Sequence, residues 1–208
     1  MLRILIADDH AIVRKGLEQI LLEEYPNAKI EEAGDAETLA LKCADQKWDV
    51  VISDLHMPGR SGLDALEQIK QAYPQLPVLI MSMYPEDQYA VRVFKSGAAG
   101  YLSKESIHDE LILAIQTVLN GRKFITPSIA EILAESLEVK MEQKHELLSN
   151  REFNVLKLLA SGKSVSDIAE QLSLGVTTVS TYRARILEKM KMHSNAELTR
   201  YALEKNLI

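Results

Sequence analysis

Over the first 120 residues, short runs of apolar, largely β-branched residues alternate with longer segments in which apolar side chains recur every three or four positions. The runs predict strands at 3–8, 29–33, 49–54, 78–82 and 100–103. The segments between and after them predict helices at 11–23, 36–45, 63–73, 86–96 and 107–119. The strands are read as apolar on both faces, which suits a parallel sheet covered on both sides. Right-handed crossovers then make the five strand–helix units a doubly wound α/β fold.

The pattern changes after Asn120-Gly121, a helix-stop pair. Thr126-Pro127 reads as a cap and first-turn proline for a helix over 127–141, with Ile129, Ile132, Leu133 and Leu137 along one side. Residues 142–146 are polar and without period, so 122–146 is expected to be a linker containing a helix. Its single apolar stripe suits either intramolecular docking or a dimer seam. Beyond it, Ser149-Asn150-Arg151-Glu152 is a capping box, with Leu148 and Phe153 spaced as a hydrophobic staple. That helix stops at Ser161-Gly162, a second starts at Ser164, a third spans 177–190 and a fourth 195–205. Four short helices, with a Gly-containing turn before a basic third, are the outline of a helix-turn-helix. The domains expected are therefore 1–121, the linker 122–146, and 147–208.

Composition narrows the class. The chain has 208 residues, a formal charge of −6 and one cysteine, Cys43, which excludes an internal disulfide. Its apolar runs are too short for a membrane helix and its start lacks a signal-peptide pattern, so a cytoplasmic protein without membrane contact is expected. Charge is unevenly spread: residues 1–126 carry 19 acidic and 13 basic side chains, residues 147–208 carry 6 and 9. The tail is thus the candidate for a polyanionic partner.

In a parallel sheet, ligands gather beyond the carboxyl ends of the strands. The predicted ends carry Asp8-Asp9, Asp54, Ser82 and, past Tyr101-Leu102-Ser103, Lys104. Three close carboxylates repel one another unless a cation joins them, and Mg²⁺ suits an all-oxygen donor set bridged to a phosphate. Lys104 and Ser82 would complement phosphoryl oxygens, leaving Asp54 as the nucleophilic acceptor. Taken singly each residue has a plainer explanation: Asp9 as a helix cap, Ser82 as a loop hydroxyl, Lys104 as a solvated charge, His10 as a surface histidine. Their joint placement on four strand ends is what points to a site.

On these residues, with Asp54-Leu55-His56-Met57-Pro58-Gly59, Met81-Ser82 and the run from Gly97 to Lys104, the first ~120 residues resemble a response-regulator receiver domain, a flavodoxin-like fold. The resemblance implies that Asp54 takes phosphate from a sensor histidine kinase. It also implies that Asp9 ligates Mg²⁺ directly, Asp8 largely through water, and His56 through its backbone carbonyl. Ser82 would move toward the phosphoryl group, and Tyr101 would turn into the space it leaves; read alone, Tyr101 is an edge residue with its hydroxyl in water. One departure is Glu105, where many receivers have proline; it lies near enough in sequence to compete for Lys104.

The tail resembles the LuxR-type DNA-binding domain through Leu148–Glu152, Leu158–Ser164, Ile168-Ala169 and Thr178-Val179. The whole chain is thus similar to a NarL/FixJ-type response regulator and not to an enzyme with an external substrate. By that analogy the third helix enters the major groove of double-stranded DNA. Thr177, Thr178, Ser180, Thr181 and Ala184 would face the bases, and Arg183, Arg185 and Lys189 the phosphates. The family often has Lys at 180 and His at 182, where this chain has Ser180 and Tyr182, so bidentate guanine reading from the centre of the helix is not available. The tail's modest charge suits weak binding by one copy, and phosphorylation is expected to promote a homodimer on paired half-sites. Two rivals stay open: an aspartyl-phosphate phosphohydrolase, betrayed by rapid turnover of small phosphate esters, and a protein adaptor, betrayed by failure to bind any DNA.

Overall fold

A computed structural model describes residues 1–57, 62–138 and 144–208. The chain divides into two compact units, Met1–Leu137 and Glu138–Ile208.

In the first unit five strands, β1 (Arg3–Ala7), β2 (Lys29–Ala33), β3 (Val50–Asp54), β4 (Val78–Ser82) and β5 (Gly100–Ser103), form one parallel sheet in the order β2-β1-β3-β4-β5. The helices are α1 (Ala11–Glu24), α2 (Ala36–Asp45), α3 (Gly62–Ala72), α4 (Glu86–Lys95), α5 (Ile107–Leu119) and α6 (Pro127–Glu138). On one face Ile4, Ile6, Val50, Ile52, Leu79, Met81 and Leu102 pack against Leu17 and Leu21 of α1 and Leu111, Ile115 and Val118 of α5. The alternate residues Leu5, Val51 and Ile80 are also fully buried, so the central strands are covered on both faces.

The expectation of apolar faces on every strand fails at β2. This is an edge strand, KIEEA, mostly half-buried, and its Glu31 pairs with Lys29 and Lys42 at 2.8 Å each. Charges that blunt an edge replace the apolar face a central strand needs. The other edge, β5, is extended by Phe124, which bridges to Gly100 and donates its N–H to the Ala99 carbonyl. Thr126 caps α6 as expected, and Ile129 of that helix is fully buried. The predicted end of α6 at 139–141, the side chain of Leu137 and the loop residues Pro58-Gly59 lie outside the described residues.

Gly62, the first residue of α3, lies against the backbone that leaves β3. Its N–H donates to the Leu55 carbonyl at 2.8 Å, and a Cβ there would sit 1.9 Å from the Asp54 carbonyl oxygen. Only glycine allows that approach.

In the second unit a 3₁₀ turn (Lys144–Leu147) replaces part of the expected linker and precedes α7 (Asn150–Ala160), α8 (Val165–Gln171), α9 (Val176–Met190) and α10 (Asn195–Glu204). Both predicted helix starts hold: Ser149 and Glu152 form the full capping box, as do Ser164 and Asp167. Phe153, Leu156, Ile168, Val179, Ile186, Met190, Leu198 and Ala202 are buried, with α9 packed on α7 and α8, and α10 on α7. Among the described residues no helix is long and apolar enough to cross a membrane.

Gly62→Ala is expected to lower stability by at least about 2 kcal/mol through overpacking against immovable backbone. Gly16→Ala, exposed in mid-α1 with nothing within 4 Å of the new Cβ, should be neutral or stabilise by up to about 1 kcal/mol. Urea unfolding of the two variants checks this, and equal behaviour would refute the close-approach argument.

Candidate functional site: an acidic strand-end cluster and an exposed helix face

The register of the sheet brings the ends of β1, β3, β4 and β5 to one edge. Asp8, directly after β1, is fully buried; Asp54, the last residue of β3, is 5% exposed. The Lys104 ammonium stands between them, 2.6 Å from Asp8 Oδ2 and 2.9 Å from Asp54 Oδ2. It is held there by the continuation of β5, where the Lys104 N–H donates to the Ser82 carbonyl at 2.8 Å. Glu105 is exposed, and the ammonium goes to the two aspartates instead.

Burial and charge act against each other here. Burial opposes the Lys104 charge, but Asp8 and Asp54 outweigh it and raise its pKa. For Asp54 burial is the largest influence and Asp8 adds to it. Together they hold the carboxyl above its ordinary range, despite Lys104 and the His56 backbone N–H, which pull it down.

Asp9 and His10 are exposed neighbours of this pair. His10 donates its backbone N–H to Asp8 Oδ1 at 2.8 Å, and its Nδ1 lies 2.7 Å from Asp9 Oδ1 and 3.2 Å from Asp8 Oδ1. The site thus collects more than strand ends suggest, and the surface reading of His10 is incomplete. Arg14 on α1 fixes the Asp8 backbone, donating to its carbonyl at 2.7 Å while Glu32 anchors the guanidinium. Neither Arg14 nor Gly62 stands out in the sequence, because each acts on backbone brought near only by folding.

Ser82 is fully buried and its Oγ accepts the Tyr84 N–H at 2.9 Å. Tyr101 is fully buried too, donating its hydroxyl to the Tyr84 carbonyl at 2.8 Å, and burial pushes its pKa up to about 12. The picture of an edge residue with its hydroxyl in water is therefore wrong for this structure: the β4–α4 loop folds over the ring and supplies its acceptor. The backbone of Tyr84, through its N–H and its C=O, links both side chains. The ring of His56, two residues past Asp54, lies 4.6 Å from that of Tyr84 and 5.6 Å from that of Tyr89.

Donor atoms of Asp8, Asp9 and His10 lie within 4.8 Å of one another, and Lys104 ties Asp54 to Asp8; the carboxylate oxygens present are the hard donors that suit Mg²⁺.

In the second unit, Val179 and Ile186 bury one side of α9, while Thr177, Thr178, Ser180, Thr181, Ala184, Arg185 and Lys189 are exposed on it. The Thr181 hydroxyl donates back to the Thr177 carbonyl. Half-buried Arg183 donates its Nε to Asn195 at the start of α10. Lys189 is 2.6 Å from Glu152 Oε2. Burial pushes Glu152 up, but Lys189 and the Ser149 N–H outweigh it and keep the carboxyl below its ordinary range. Two of the three cations assigned to phosphates thus also hold the helices together; Arg185 projects as an exposed charge.

The fold agrees with comparisons to known proteins. The family of response regulator receiver domains matches residues 4–116, and the bacterial regulatory proteins of the luxR family match residues 146–202. The chain belongs to the response regulators of NarL/FixJ type, which join a receiver domain to a LuxR-type DNA-binding domain. Among its relatives, the oxygen regulatory protein NreC of Staphylococcus haemolyticus (strain JCSC1435) is 35% identical, with 100% of this chain and 99% of the relative covered. The response regulator UvrY of Escherichia coli (strain K12) is 34% identical, with 100% and 96% covered. Among solved structures, the response regulator RcsB in complex with DNA has a TM-score of 0.59 at 26% identity, with 98% of each chain covered. RcsB has also been solved as two dimers on two parallel DNAs.

Because the Asp54 carboxyl is held above its unfolded range, its ionisation opposes folding. The penalty is absent where the group is protonated in both states and sets in as pH rises past the unfolded value. In chelator at pH 7.5, Asp54→Asn is therefore expected to be more stable than the parent, a gain that disappears toward roughly pH 4. Urea unfolding across that range is the measurement, and a variant no more stable at pH 7.5 would contradict the electrostatic account.

Proposed function

We propose that this response regulator is a phosphorylation-controlled, DNA-binding transcription regulator whose phosphoryl acceptor is Asp54. The observation that carries the proposal is a buried aspartate at the end of a central strand, faced by a second buried carboxylate and an ammonium within 2.9 Å. Burial keeps the acceptor from being just another solvated carboxylate, and Lys104 stands where a phosphoryl oxygen would need a cation.

In the reaction, an Asp54 carboxylate oxygen attacks the phosphorus of a phosphohistidine on a sensor kinase. The P–N bond breaks, its electron pair stays on the histidine nitrogen, and that imidazole takes a proton from solvent. Lys104 moves its ion pair onto a phosphoryl oxygen, and the Ser82 hydroxyl donates a hydrogen bond to another. Asp9 directly, Asp8 largely through water, Asp54 and the His56 carbonyl would hold Mg²⁺. When bound, Mg²⁺ supplies the positive charge that lets three carboxylates and a phosphoryl group coexist.

The switch is a population shift. Ser82 and Tyr101 bind the N–H and the carbonyl of Tyr84, so drawing Ser82 toward the phosphoryl group changes the loop that holds Tyr101. Tyr101 is buried here while Ser82 still accepts the Tyr84 N–H, so in this reading the change on phosphorylation lies in the loop that joins them. Phosphorylation then favours a homodimer, and two α9 helices read paired half-sites of double-stranded DNA, a reading supported by the RcsB dimers on DNA. Base contacts come from Thr177, Thr178, Ser180, Thr181 and Ala184. Phosphate contacts come chiefly from Arg185, with Arg183 and Lys189 contributing what their intramolecular bonds leave. The domains take the bounds 1–121, 122–146 and 147–208, and a chromosomal operator as ligand makes the cytoplasm the working compartment.

Intact-protein mass spectrometry after incubation with acetyl phosphate and Mg²⁺ should give a single phosphoryl adduct that maps to Asp54 and is lost in Asp54→Asn. The phosphoryl mimic beryllofluoride should strengthen operator binding in gel shifts. No adduct at residue 54 with acetyl phosphate or any partner kinase would overturn the reading.

Arg185→Ala should weaken all DNA sequences alike and reduce the slope of log affinity against log salt by about 0.9 per DNA-binding copy. Lys189→Ala should, in addition, lower the unfolding midpoint of the helical unit, because it strands the buried Glu152 carboxylate. Binding isotherms at several salt concentrations, paired with thermal melts, separate the two. A Lys189→Ala protein as stable as the parent would assign that lysine to DNA alone.

A further inference from the structure

We propose that the cavity at the amino-terminal end of the sheet, opposite the acidic cluster, is a binding site for a small organic cation such as a quaternary ammonium. The proposal uses none of the residues assigned to phosphoryl transfer and stands apart from that reading.

The cavity lies where three helices stop. Cys43 and Asp45 line it from the end of α2, Tyr73 from just past α3, and Val118 and Leu119 from the end of α5. Between them run Trp48-Asp49, which lead into β3, and Leu76-Pro77, which lead into β4. Asp54 and Ser82 close the far ends of the same two strands. At about 750 Å³ the cavity has the size of a small-molecule site and is far larger than a packing defect.

Its lining is aromatic and apolar. The Trp48 ring is fixed in orientation, since its Nε1 donates to the Lys42 carbonyl at 2.9 Å. The Arg3 guanidinium stands 5.9 Å from the centre of that ring, so one side of Trp48 already faces a cation. Tyr73 and Leu119, by contrast, are 39% and 40% exposed and share this one cavity with the buried Trp48 and Val118.

Charge then selects among apolar ligands. Asp45 and Asp49 line the cavity against a single cation, Lys47. Asp49 accepts the Arg3 backbone N–H at 2.7 Å, a neutral partner, and Asp45 is exposed with no ion pair among the described residues. The carboxyl end of a helix adds about half a negative charge. Lys70 answers the end of α3, donating to the Pro74 and Leu76 carbonyls at 2.6 and 2.9 Å. The last turn of α5 has no basic residue, and Lys42 in the last turn of α2 is drawn away to Glu31. An aromatic-lined cavity with surplus negative charge suits a cation whose charge is spread over a bulky apolar head. A small hard ion, which keeps its water, gains nothing from the rings.

Trp48 is the one tryptophan of the chain, so its fluorescence reports on the cavity directly. The probes are benzyltrimethylammonium and 2-methyl-1-phenylpropan-2-ol, which has nearly the same shape and no charge, each titrated into the full chain. The cation should change the fluorescence saturably and bind about tenfold more tightly than the alcohol. Asp45→Asn should weaken the cation by about threefold and leave the alcohol unchanged. Tyr73→Ala should weaken both. Both side chains are exposed, so circular dichroism should show the fold of each variant intact. Calorimetry on the same samples detects binding that leaves the fluorescence unchanged. An alcohol as tight as the cation, a cation affinity untouched by Asp45→Asn, or no saturation by either method below about 10 mM of the cation would overturn the proposal.

Discussion

The pairing of Lys104 with Asp8 and Asp54 is the interaction on which the receiver unit turns. Three ionisable groups are taken largely out of water at the edge of an apolar sheet, which is tolerable only because one cation serves two anions. The balance is incomplete. Asp54 remains harder to ionise than a free aspartate, and among the described residues Lys104 alone stands between it and the buried Asp8 carboxylate. A site left short of cations is one whose energy changes steeply when a phosphoryl group or a divalent ion arrives. That steepness is what a switch needs.

The scaffold around the trio is correspondingly rigid where it must be. Lys104 is positioned through the β4–β5 ladder, Asp8 through Arg14 and Asp54 through the close approach of Gly62. The loop after β4 is built differently. Its Tyr84 backbone donates its N–H to Ser82 on one side and accepts the Tyr101 hydroxyl at its carbonyl on the other. In the proposed switch, a loop that holds one hydroxyl on each side is the element through which a change at Asp54 reaches the surface.

The helical unit solves a different problem with similar economy. Its cations are modest in number, and Arg183 and Lys189 hold α9 to neighbouring helices as well as lying near its exposed face. Small hydroxyl and methyl side chains dominate the rest of that face, so reading bases from it depends on close approach more than on long charged side chains. A partner copy is then a natural source of the additional affinity.

Most of the element order was legible along the chain, since buried parallel strands and amphipathic helices impose periods of their own. The capping boxes at Ser149 and Ser164 are likewise local, because cap and partner lie three residues apart. Asp8, Asp54, Ser82 and Lys104 could be named from the rule that ligands collect at strand ends. The edge character of β2 could not, because Glu31 and Glu32 become edge charges only once the strand order places nothing beyond them. Nor could the burial of Tyr101, the clamp of Arg14 or the closeness of Gly62 to Asp54. Each depends on a distance between segments that no period encodes, and such distances exist only after the sheet has closed its register and the helices have packed upon it.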